Sequence, residues 1–380
     1  MHKGERFSFF STVTMSLSIF IFFHLLSYFH FSFSVPQPYT SIFNFGDSLS
    51  DTGNLLILNA SAPIGRLPYG MTFFGRPTGR FSDGRLIIDF IAEAFGLPFL
   101  PPSLARGQDF RHGADFAVSG ATALDIEFFR RRGLGAVARV NQSLGVQLRW
   151  FEELKPSLCN STRSCKDYFS KSLFMVGEIG GNDYNVPLSV KRSLKEVRSY
   201  VPKVIETVSM AIERLIEHGA VDLVVPGNPP IGCYGAFLTL YESPNKEDYD
   251  PRTGCLKKLN DLMRYHNKLL RRLLEQLRIK YPRLRFTYAD YYGAAIRLAR
   301  HPKRYGFSNG VSRACCGGGG PYNFNSTVIC GQPGYNVCKD PSTYVSWDGI
   351  HSTEAAHRSI AMGLLHGPYT DPPIMSARLH

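Results

Sequence analysis

The sequence predicts an α/β fold: a three-layer α/β/α sandwich around a five-stranded parallel sheet. Two observations predict it. Five short apolar runs of strand length are spaced along the chain, most of them rich in β-branched or aromatic residues. Longer segments of helical period separate them, and strands that alternate with helices pair in parallel with both sheet faces covered.

The elements follow in chain order. SIFNF (41–45) is the first strand, and RLIIDFIAEAFG (85–96) has helical spacing that ends at a capping Gly96. DFAVSG (115–120) and SLFMVG (172–177) are the second and third strands. In 197–219 the residues Val201, Val204, Ile205, Val208, Ile212, Leu215 and Ile216 form one apolar stripe stopped by Gly219. Pro202 is expected in that helix's first turn, where its missing N–H costs little. DLVVPG (222–227), a helix over 259–281 and RFTYAD (285–290) complete the alternation. His266 lies on the apolar stripe of the 259–281 helix, so it reads as a core histidine satisfied by a hydrogen bond.

Residues 1–34 stand apart from this pattern. Lys3 and Arg6 precede a strongly apolar stretch from Phe7 to Phe33, and Ser-Phe-Ser at 32–34 supplies small residues before Val35, the arrangement of a cleavable secretory signal. The stretch approaches bilayer-spanning length, but His24, His30 and several serines interrupt it, so cleavage is expected rather than a retained anchor. No composition shift marks a second domain, and 35–380 reads as one domain.

The eight cysteines (159, 165, 233, 255, 315, 316, 330 and 338) all follow the signal segment. An even number behind such a segment predicts disulfides, whose connectivity sequence does not fix. Cys159 with Cys165, across CNSTRSC, is the simplest local pair. No C-x-x-C pair occurs, so no zinc site or other metal is expected. Asn59, Asn141, Asn160 and Asn325 each open an Asn-x-Ser/Thr acceptor and are candidate glycan sites. The formal charge is +12, and loss of Lys3, Glu5 and Arg6 with the signal leaves +11. Lys and Arg are dispersed, no nucleic-acid motif occurs, and a solvated basic surface is expected. The four glycines in ACCGGGGPYNFN (314–325) lack the Lys-Ser/Thr of a phosphate loop and read as a disulfide-tethered loop, while 241–255 reads as a surface excursion.

FNFGDSLSDTGN (43–54) raises the chemical question, because turn residues follow the first strand directly. In parallel α/β sheets, functional groups gather at the carboxyl ends of strands, and Ser48 sits there. A serine hydroxyl needs a base to take its proton and a third group to orient that base. SWDGIHSTEAAH (346–357) offers both: Asp348 lies three residues before His351, and Ser352 or Thr353 can cap the helix that follows. In a tight turn Asp348 reaches imidazole Nδ1 and leaves Nε2 for Ser48. His357 falls further along that helix, away from the site's mouth. Oxyanion donors are the remaining need. Gly120, after the second strand, offers a backbone N–H, and Asn182, in GEIGGNDYN after the third, offers a side-chain amide.

Four blocks carry a family resemblance: FGDSLSDTGN, GADFAVSGATAL, GGNDY and WDGIH. With FGRPTGRFSDGR (74–85) and VPGNPPIGC (225–233) beside them, the chain resembles plant GDSL-type esterases/lipases of the SGNH hydrolase superfamily over nearly all of its mature length. The resemblance implies a flavodoxin-like sandwich, Ser48 as nucleophile, His351 and Asp348 as the rest of the triad, and an oxyanion hole of the Ser48 N–H, Gly120 and Asn182. The α/β-hydrolase elbow G-x-S-x-G is not met, since Gly46-Asp47-Ser48-Leu49-Ser50 lacks its second glycine.

The expected function is that of a secreted serine carboxylic ester hydrolase working through an acyl-enzyme, without metal or cofactor, on a small plant specialised-metabolite ester. The subgroup that the chain resembles includes esterases of alkaloid, phenylpropanoid-choline and glycoside esters. An acyltransferase passing the acyl group to an alcohol is the nearest alternative, and a non-catalytic glycan- or lipid-binding protein the second. Specificity is expected in the loops 61–80, 125–145 and 234–255. The mature protein is expected to be a monomer without membrane anchor or nucleic-acid partner, delivered to the apoplast or vacuole.

Overall fold

The computed structural model describes residues 39–138 and 141–376 of the 380-residue chain. The signal segment and the mature start expected near Val35 lie outside the described residues. Five strands run parallel: β1 (Ser41–Phe45), β2 (Gly113–Asp115), β3 (Ser172–Val176), β4 (Asp222–Pro226) and β5 (Arg285–Ala289). A sixth, β6 (Thr370–Asp371), pairs antiparallel with β5, so the order is β2-β1-β3-β4-β5-β6. The expectation of a five-stranded sheet is thus extended by one short edge strand, two residues that no periodicity could reveal.

Side chains alternate across the sheet because the strand period is two. Phe43 and Phe45 of β1, Phe174 of β3, Leu223 of β4 and Phe286 of β5 point to one face. There α2 (Leu144–Leu154), α4 (Leu194–His218) and α5 (Lys257–Lys280) cover them, and Phe43, Phe151, Phe169 and Phe174 form an aromatic cluster with centroids 5.2–5.9 Å apart. Ile42, Leu173, Met175, Val224 and Ala289 point to the other face, against α1 (Ile87–Ala94), α6 (Tyr291–Arg300) and α7 (Glu354–Leu365). Register sets β1 beside β3 with Phe43 opposite Phe174 and Phe45 opposite Val176, so their carboxyl ends lie together.

Two sequence expectations need correction. The second strand is not 115–120 but Gly113–Asp115. At Asp115 the side chain takes the Ala117 N–H at 3.0 Å, and this Asx turn ends the ladder although Phe116 and Val118 still donate to the carbonyls of Asn44 and Gly46. Pro202 is not in the first turn of α4, because the helix starts at Leu194 behind an N-cap Ser193 whose hydroxyl accepts the Glu196 N–H. Pro202 therefore lies inside α4. Gly219 does close that helix, in the left-handed conformation.

Four disulfides join Cys159–Cys165, Cys233–Cys255, Cys315–Cys338 and Cys316–Cys330. The first is the local pair read from sequence. The last two are nested and tether the glycine-rich loop, and Cys233–Cys255 ties the 241–255 excursion to the body. No helix among the described residues is long and apolar enough to cross a membrane.

Candidate active site

The carboxyl ends of β1 and β3 open into a cleft of about 710 Å³. Ser48, Gly120, Asn182 and His351 all line it. Ser48 follows β1 by three residues. Its Oγ lies 2.9 Å from His351 Nε2, and His351 Nδ1 lies 2.7 Å from Asp348 Oδ2. The three residues named from spacing therefore form one continuous hydrogen-bonded line.

The Asp348–His351 turn is built by its own backbone. Asp348 Oδ1 accepts the N–H groups of Ile350 (3.1 Å) and His351 (2.8 Å), and Trp347 N–H donates to the His351 carbonyl at 2.7 Å. Gly349 has φ +96°, and a Cβ there would come within 2.5 Å of the Phe324 ring, so only glycine fits. Thr353 then caps α7, accepting the Ala356 N–H. Tyr69 donates to Asp348 Oδ2 at 3.0 Å, and the Phe81 ring lies 4.3 Å from the imidazole, centroid to centroid. Burial alone would raise the Asp348 pKa, but His351 and the two N–H donors outweigh it and hold the carboxyl below its ordinary value. That favours the charged carboxylate which keeps imidazole Nδ1–H in place.

Gly120 adopts φ +84°, the left-handed region that glycine tolerates, at the cleft wall. Asn182 sits at the start of α3 (Gly181–Ser189), and its Nδ2 is 2.9 Å from Asp47 Oδ2 and 3.0 Å from the Ala121 carbonyl. Both amide hydrogens thus have protein acceptors in the free site. His266 is in the core: its Nδ1 meets the Tyr184 hydroxyl at 2.8 Å, and burial takes its pKa down to about 3. His357 lies below the site beside a cavity of about 40 Å³, not in the main cleft.

Sequence reasoning missed the carboxylates that join these blocks. Asp51 accepts the N–H groups of Gly53, Asn54 and Leu55, and from the next block the Ser119 N–H and hydroxyl. Asp183, beside Asn182, accepts the N–H groups of Ala123 and Leu124 and so fixes the turn carrying Gly120. Burial pushes Asp183 up to about 7, and burial together with Asp51 pushes Asp115 up to about 8. Gln147 pins Gly46 from both sides, at 2.9 and 2.8 Å. The only advance signal was an Asp next to Ser48 and next to Asn182, which any turn also favours.

The cleft walls differ from the loops expected to set specificity. Among the described residues they come from 185–191, 228–240 and 324–326, with Leu55 and Phe81, and of the three expected loops only 234–255 contributes. Pro229, Ile231, Tyr234, Phe237 and Leu240 make one side apolar. Among the described residues, no group of three or more His, Cys, Asp or Glu side chains is set to hold a metal ion.

A serine just after the first strand, hydrogen-bonded to a His351–Asp348 pair held on the turn before α7, is the geometry that the comparisons with known proteins meet. The chain matches the GDSL-like lipase/acylhydrolase family over residues 42–364 and belongs to it. It is 54% identical to an Arabidopsis thaliana GDSL esterase/lipase, covering 88% of this chain and 92% of that one. A second from the same plant is 51% identical, covering 89% and 86%. Sinapine esterase of Brassica napus is 47% identical, covering 88% and 87%. The protein is accordingly a GDSL-type esterase/lipase, of a family that acts on small esters.

Proposed function

We propose that this enzyme hydrolyses a plant specialised-metabolite ester through a Ser48-His351-Asp348 triad. The observation that carries the reading is the 2.9 Å contact of Ser48 Oγ with His351 Nε2 at the floor of the cleft. Ser48 attacks the ester carbonyl while His351 takes its proton, and Asp348 holds the imidazole and offsets its positive charge. The oxyanion meets the N–H groups of Ser48 and Gly120 and one N–H of Asn182, which leaves the Ala121 carbonyl while the bond to Asp47 persists. His351 returns the proton to the leaving alcohol and then activates water against the acyl-enzyme. The apolar wall at Pro229–Leu240 suits a hydrophobic or aromatic acyl group, in keeping with the relative named sinapine esterase. The signal-like start and four disulfides support passage through the secretory pathway to the apoplast or vacuole.

An organophosphonate probe on the native protein, followed by peptide mass spectrometry, tests the nucleophile. Label on Ser48 with loss of activity is expected; label on another serine with Ser48 untouched overturns the assignment. A panel of aromatic and aliphatic esters, with Ser48→Ala as blank, then identifies the acyl group. If products accumulate only when an alcohol acceptor is supplied, hydrolysis is the wrong reaction.

A further inference from the structure

Glu178 has no role in the mechanism above, yet it lies against its machinery. It follows β3, is only 3% exposed, and borders the cleft beside Asp47 and Gly181. Its carboxyl is within reach of the Asp47 carboxyl and of the Gly181 backbone N–H, but its Oε1 has no hydrogen-bond partner of good geometry among the described residues. Two buried carboxyls in contact do not both ionise, so the pair holds one proton. The hydrogen bonds decide where it rests. Asp47 Oδ1 accepts the Leu49 N–H at 3.0 Å and Oδ2 accepts the Asn182 amide at 2.9 Å, so charge there is compensated. Charge on Glu178 would leave a buried oxygen without a partner. The proton therefore belongs to Glu178 and points at Asp47.

We propose that Glu178 is a positioning residue of the esterase site: as a neutral acid it donates to Asp47 and so anchors the carboxylate that orients the Asn182 amide. The proposal rests on the reading of Asn182 as an oxyanion donor. Asn182 must keep its bond to Asp47 when its other N–H turns from the Ala121 carbonyl to substrate, and a carboxylate free to rotate would not enforce that. A single negative charge on the pair also spares the oxyanion a second anion beneath it. Burial and the neighbouring Asp47 hold Glu178 well above the ordinary carboxylate range, while burial pushes Asp47 only to about 6. The other titratable groups facing the pair are Asp51, Asp183, His351, Tyr184, Tyr234 and Tyr291. All but His351 are acids, and each opposes a second charge once ionised.

The test is the kcat and KM of the wild type, Glu178→Gln, Glu178→Ala and Asn182→Ala on a chromogenic ester, from neutral to alkaline pH. Glu178→Ala should lower kcat about tenfold to a hundredfold with little change in KM, because a transition-state contact is loosened. Glu178→Gln keeps an N–H for Asp47 and should recover most of that loss. Wild-type kcat should fall on the alkaline side as Glu178 ionises, and Glu178→Gln should lack that fall. If Glu178→Ala fails to fold, the alkaline limb of Glu178→Gln decides alone. A wild-type alkaline limb retained in Glu178→Gln, or a Glu178→Ala effect confined to KM, overturns the proposal. Asn182→Ala separates the two readings: if it is impaired while the Glu178 variants behave as wild type, only the Glu178 role fails. If Asn182→Ala is also unimpaired, the oxyanion reading fails with it.

Discussion

Replacing Asp348 by Asn alters one charge and two hydrogens, and the surrounding bonds dictate which way the amide must face. Oδ1 receives two backbone N–H groups, from Ile350 at 3.1 Å and His351 at 2.8 Å, so only an oxygen is accepted there. The nitrogen is left in the place of Oδ2, 2.7 Å from His351 Nδ1 and 3.0 Å from the Tyr69 hydroxyl. It must donate to Nδ1, and the neutral imidazole then carries its proton on Nε2. A donor would face Ser48 Oγ at 2.9 Å where a base is required. The expected loss in kcat/KM is about 10⁴-fold, the size of a wrong-tautomer effect in a Ser-His-Asp triad. At 1.36 kcal/mol per decade this is about 5.5 kcal/mol of transition-state stabilisation. Shape is conserved and Tyr69 can rotate its hydroxyl to donate elsewhere, so the fold should persist. Steady-state hydrolysis of a chromogenic ester gives the rate, circular dichroism checks the fold, and organophosphonate labelling reports Ser48 reactivity. Activity within tenfold of wild type in a folded Asp348→Asn protein would refute the tautomer reasoning.

Asn182→Ala should fold and still label slowly at Ser48, yet lose about 10²–10³ in kcat with a much smaller change in KM; unchanged kcat on a substrate with rate-limiting chemistry would return Asn182 to a simple turn role. Asn182→Asp should be at least as poor, since a carboxylate repels the oxyanion. Arg80 grips Asp89 through Nε and Nη2 at 2.8 and 2.7 Å, both side chains buried, so Arg80→Ala should cost about 3–5 kcal/mol in urea unfolding. An apolar replacement of both partners should cost less than that single change. The buried proton on Glu178 also enters stability. Its folded pKa lies above the unfolded value, so the native state binds more protons; this contribution is complete below the unfolded pKa and is lost as pH rises through the folded one. Thermal unfolding of Glu178→Gln should therefore gain on the wild type steadily as pH rises from about 4.5, and a pH-independent difference would contradict the assignment.

The sheet was readable because its strands are buried on both faces and so appear as uninterrupted apolar runs, as in SLFMV of β3. β2 was misplaced for the same reason: Phe116, Ala117 and Val118 are fully buried without being strand, and burial is what an apolar run reports. Asp348 and His351 were legible since a turn of three residues fixes their geometry locally. Ser48, Gly120 and Asn182 could be named only as ends of separate strands. Their convergence depends on β1 lying between β2 and β3, and a strand order is not written in any one segment. Glu178, Asp183 and Asp51 were illegible as site residues, because a buried carboxylate and a solvated turn carboxylate look alike until their partners are in place.

Ser48 and His351 meet across 303 residues of chain. Synthesis runs from the N-terminus, so the growing polypeptide carries its serine long before it has the imidazole. A serine hydroxyl without a base is hardly more reactive than any alcohol in solution. Under the proposed triad, a nascent chain that lacks the Asp348–His351 turn is chemically silent towards esters. In that proposed mechanism the order of residues along the chain withholds reactivity until the Asp348–His351 turn packs beside Ser48.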